Sequence, residues 1–191
     1  MAADYSIIQP PFELKFRELP RKDLVAYRDW FHRVMPERLA ELTKAVKSSP
    51  GFEDWKPNLT PASLGPLGEW FFRDVETRKR TETELREIQD RLTFPIEVPG
   101  EELTNRTFSL AMDIGMYLGQ VVLESVPGTR WDQPLKNPRF ADHGQPVIVG
   151  AGKLSLNPVR IAVTLAYAFA AKEQSGDQLR AAYDIWSKKL S

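Results

Sequence analysis

Cysteine is absent from the chain. That excludes disulfides, thiolate nucleophiles and cysteine-ligated metal centres together. Histidine is nearly absent: His32 and His143 are the only two in 191 residues. Neither stands in HExxH or in any paired metal spacing, so neither a metal nor another cofactor is expected. Charge of one sign is not in excess either. Lysine and arginine total 26, aspartate and glutamate total 26, and the formal net charge is zero. A general nucleic-acid binder carries a basic surplus, so nucleic acid is not an expected partner.

Two further absences matter. No apolar run approaches the roughly 20 residues of a membrane span, because Asp113, Gln120 and Glu124 interrupt the most apolar stretch, so no membrane association is expected. The first residues, MAADYSIIQPPFELKF, lack a basic region followed by an apolar one, so the expected location is the cytoplasm. There is no Gly-x-Ser-x-Gly elbow. VGAGKLS, from Val149 to Ser155, looks like a phosphate loop but fails on spacing. No glycine lies five residues before Gly152, and Leu154 stands where a hydroxyl would bind magnesium. A hairpin turn is the better reading.

What is present is dominated by one stretch, Thr104 to Val126, TNRTFSLAMDIGMYLGQVVLESV. It reads as a helix of roughly 30 Å, with Thr104 as N-cap and Pro127-Gly128 as the stop. Most of its girth is apolar, which marks a core helix. Ala111, Gly115 and Gly119 form a file of small residues at a spacing of four. A glycine inside a helix costs about 1 kcal/mol relative to alanine, so close packing of another element is expected there.

Arg106, Ser109, Asp113, Tyr117, Gln120 and Glu124 fall within roughly 80° of one another on that helix. The plain reading of such a stripe is the sliver that reaches solvent. The sharper one is a groove in which Asp113, Tyr117, Gln120 and Glu124 meet a ligand or partner, with His143 added from a loop. Asp113 and Glu124 lie about 16 Å apart along the axis, too far to act as one acid–base pair.

The other elements follow from period and punctuation. Residues 1–19 read as an extended arm, with Phe12, Leu14 and Phe16 alternating against charged neighbours. A helical pattern from Pro20 carries Leu24, Tyr27, Trp30, Phe31 and Val34, and Pro36 is expected to break or kink it and then to start another helix running to about Ser48. Leu64 to Val75 is a short helix. Thr81 and Glu84 form a capping box for a solvated helix secured by Leu85, Ile88 and Leu92. Arg78-Lys79-Arg80, followed at once by Glu82 and Glu84, makes a poor polyanion patch. Thr129–Gln133, Pro146–Val149 and Lys153–Leu156 read as short strands. Asn157-Pro158 starts a helix, and Gly176-Asp177 separates it from the last one.

The expected class is α+β and mainly helical: one long central helix covered by others, with a small antiparallel sheet between about residues 129 and 157. A single domain is expected, divided into the arm (1–19), a helical region (20–126), the sheet (127–157) and two C-terminal helices (158–191).

FELKF, YRDWF, PERL, SLGPLGEWF, DIGMYLGQVV, PVIVG and the closing Asn-Pro helix together resemble an uncharacterised family of bacterial cytoplasmic proteins, over nearly the whole chain. In that family the central helix often reads Tyr-Leu/Phe-Gly-Glu, and Gln120 departs from the carboxylate. The resemblance implies no activity, substrate or cofactor. With no assembled catalytic set, many aromatics and a neutral charge, the expectation is a non-catalytic module that binds a partner protein, of an accessory or immunity type, monomeric or weakly dimeric. The alternative is a hydrolase or small-ligand binder using the stripe.

Overall fold

The computed structural model describes residues 5–94 and 96–191; positions 1–4 of the expected arm and Pro95 lie outside them. The central helix forms as α4, Asn105–Ser125, and Thr104 caps it by accepting the Thr107 N–H. Every residue from Ser109 to Gly119 is buried. The expected solvent sliver therefore does not exist over the middle of the helix; only its ends reach water, because elements pack on all sides of it.

Helix α1 spans Arg21–Lys47 without interruption. The expected break at Pro36 is corrected. Proline removes one backbone donor, a cost that tertiary packing can override when the apolar stripe continues in phase. Here Leu24, Tyr27, Phe31, Met35, Arg38, Leu42 and Ala45 are all buried, at steps of three or four. One buried face therefore continues past the proline.

The helix α5, Pro158–Ala170, starts on Asn157, whose side chain accepts the Arg160 N–H. It makes the most extensive helix contact with α4. Gly115 permits this: a Cβ there would sit 2.5 Å from Val159 Cα. Gly119, in the same file, meets no helix. A Cβ there would sit 2.5 Å from the Trp131 ring.

Helix α2, Leu64–Asp74, follows a single 3-10 turn, Pro61–Ser63. It packs against α6, Gln178–Leu190. There Gly68 and Gly176 touch, so a Cβ on either would land on backbone at the other.

Two sheets are present among the described residues. The expected one has the order β3-β4-β5, all antiparallel, from Arg130–Asp132, Val147–Val149 and Ser155–Leu156. Its β4–β5 turn touches the end of α6, where the Ala151 N–H donates to the Leu190 carbonyl. VGAGKLS thus closes a helix C-terminus.

The second sheet is a correction. β1, Thr77–Lys79, pairs antiparallel with β2, Glu101–Leu103, and the capped helix α3, Glu82–Arg91, lies between them in sequence. Three-residue strands are too short for a period of two to register, and two of the β1 residues are basic. Arg78 and Arg80 pair with Glu102 across the ribbon, and Arg78 also pairs with Glu84. The basic triplet is largely neutralised in place. α3 buries no residue fully, and the chain beyond it leaves Phe94 71% and Ile96 59% exposed. Among the described residues no helix is long and apolar enough to cross a membrane.

The two glycines of the α4 file differ in what opposes them, and this predicts an order. Gly115→Leu drives a side chain into the α5 backbone, whereas Gly119→Leu needs only Trp131 to move. Overpacking costs about 1–3 kcal/mol, and Gly115→Leu should lie at or beyond the top of that range with Gly119→Leu below it. Urea denaturation of both variants measures the difference, and equal losses would contradict the assignment.

Candidate functional site

Asp113 is fully buried on α4. The Arg38 guanidinium meets it as a fork: Nε donates to Oδ1 at 2.9 Å and Nη2 to Oδ2 at 2.8 Å. The Tyr5 hydroxyl donates to Oδ2 at 2.5 Å and accepts from Arg38 Nη2 at 2.8 Å. Ser109 Oγ lies 2.9 Å from the Tyr5 oxygen and accepts the Ile8 N–H. Arm, α1 and α4 are joined at one point. Burial pushes the Asp113 carboxyl up to about 6, against the downward pull of Arg38 and Tyr5. Burial and the neighbouring Asp113 charge push the Tyr5 phenol far up, so it stays a donor.

The other stripe residues are held separately. Tyr117 Oη lies 2.7 Å from Ser63 Oγ and accepts the Leu59 N–H at 3.2 Å, pinning the loop before α2. Gln120 Nε2 donates to Met35 Sδ. Glu124 is exposed near the end of α4. His143 is buried at 7% exposure, with its Nδ1 unpartnered, and shares no bond or ring contact with the other four. It lines a recess with Leu14, Phe16 and Gln145.

Those three residues also border a cavity of about 340 Å³ that the sequence does not reveal. Phe16 of the arm roofs it, Tyr27 of α1 and Phe108 and Met112 of α4 form one side, and Val159 and Val163 of α5 the other. The roof is held by the Phe16 ring, which meets the Tyr27 ring edge-on at 5.0 Å. The polar margin is Gln145, Asn157 and Arg160. Asn157 Nδ2 donates to Asp142 Oδ1 at 2.8 Å and to Gln145 Oε1 at 2.9 Å, and Arg160 pairs with Asp142. That margin is locally neutral. Phe108, Met112 and Tyr27 escape notice in sequence because a cavity wall and a filled core use the same residue types. The alternation of Phe12, Leu14 and Phe16 is the one signal that the arm lies on the domain.

Among the described residues no three histidine, aspartate or glutamate side chains gather closely enough to hold a metal ion. Comparison with family models, with curated proteins and with solved structures gives no match, so the reading of the site rests on its geometry.

Two outcomes follow for the Asp113 network. Asp113→Ala strands the Arg38 charge in the interior and should cost about 3–5 kcal/mol. The folded carboxyl titrates above its unfolded value, so the folded state binds the proton more tightly. Stability should therefore rise as pH falls through about 6 toward 4, and no longer change with this group above 6. Denaturation of the wild type and Asp113→Asn at pH 7 and pH 5 checks the sign. The wild type should gain relative to the variant at pH 5; an equal change in both removes Asp113 as the source.

Proposed function

We propose that this protein is a non-catalytic binding protein that takes a small, mainly apolar molecule into the arm-roofed cavity. The observation that carries the reading is the cavity itself. Its volume falls in the range of small-molecule sites, and its apolar walls meet a few polar groups at one margin. The internal bonds of the stripe favour the cavity over it: Asp113 pairs with Arg38, Tyr117 bonds Ser63, and Gln120 donates to Met35.

Titration with ethylbenzene tests it. Methyl NMR signals of Met112 and Val159 should shift, and the melting temperature should rise with ligand concentration by mass action. Val163→Phe, which fills the space, should fold and lose both responses. Unmoved signals in the wild type would end the proposal.

A second reading, binding of a partner protein, is supported by exposed Phe94 and Ile96 beyond α3, since neighbouring large apolar side chains in water mark interaction surfaces. With a second copy as the occupant, wild-type sedimentation should depend on concentration and that of Phe94→Ser should not.

A further inference from the structure

One residue that lines the cavity keeps a polar group that no hydrogen bond engages. Tyr27 lines it and is only 2% exposed, in contact with Phe16, Trp30 and Phe31 through its ring. Its hydroxyl has no hydrogen-bond partner among the described residues. The oxygen is also not among the sealed, unpartnered polar atoms, so it keeps part of the little accessible surface the residue has. This separates Tyr27 from the other deeply buried tyrosines. The Tyr5 hydroxyl is bound by Asp113, Arg38 and Ser109, and that of Tyr117 by Ser63 and Leu59. A buried phenol ordinarily finds a partner, because leaving one unmade forfeits the hydration it lost.

The neighbouring polar groups leave it alone. Asn157 spends its amide on Asp142 and Gln145, and its carbonyl accepts the Arg160 N–H. Gln145 Nε2 turns to the Ala141 carbonyl. Burial pushes the Tyr27 phenol well above its ordinary range, which keeps it protonated. The free function that Tyr27 offers is therefore an O–H donor.

Resting on the binding reading above, we infer that the ligand is a compact apolar molecule carrying one acceptor oxygen, and that Tyr27 donates its hydroxyl hydrogen to it. The charge balance at the margin fits a neutral acceptor such as a ketone, aldehyde or ether, since Arg160 already has Asp142.

The test compares ethylbenzene with acetophenone, which differ by a methylene replaced with a carbonyl, in the wild type and in Tyr27→Phe. The substitution keeps the ring and removes only the hydroxyl. The ratio of acetophenone to ethylbenzene affinity should fall about three- to tenfold in Tyr27→Phe, the effect of one neutral hydrogen bond. Both probes binding with an unchanged ratio overturns the donor role and leaves the cavity reading standing. Neither probe shifting the Met112 and Val159 signals overturns both.

Discussion

A carboxylate placed alone in an apolar interior loses its hydration and gains nothing in return. Asp113 is placed there in the middle of α4, and the fold around it supplies what water would have. Arg38 brings a bidentate cation from α1, and Tyr5 brings a hydroxyl from the arm. Breaking such a pair costs more than forming it gains, because the partner left behind is a buried charge. The interaction therefore acts chiefly as a register. It fixes which turn of α1 faces which turn of α4 and where the arm begins its path across the domain.

The cavity follows from that register. The arm is set at Tyr5 by Asp113 and docked again at Phe16 on Tyr27. Between those anchors it borders the cavity lined by α1, α4 and α5. Val159 lies at the cavity wall and also against Gly115, so the close crossing of α4 and α5 sets one wall's position. The shape of the cavity and the packing of the core thus share residues.

The helical frame was legible because its signals are local. The Thr104 and Asn157 caps, the Thr81–Glu84 box and the apolar girth of α4 each need only a few adjacent residues. The errors are non-local. Pro36 reads as a break until the buried stripe through Arg38 shows what carries α1 past it. The β1–β2 ribbon depends on partners far apart in sequence. The polar stripe was identified as a group, yet its burial could not be, because Arg38 and Tyr5 carry no mark that assigns them to Asp113. The cavity was least legible, since Met112 and Val163 look like any other core residues.

The contact between Gly68 and Gly176 bears on how this architecture can be traced in other chains. Each glycine lies against backbone, so no rotamer change at a neighbour relieves an added methyl. Mutational freedom is lost at both positions together, although they are far apart in sequence. Glycine at these two places, together with Gly115, forms a sparse pattern set by steric exclusion. Because backbone contact sets that pattern, it does not depend on the identity of the surface residues.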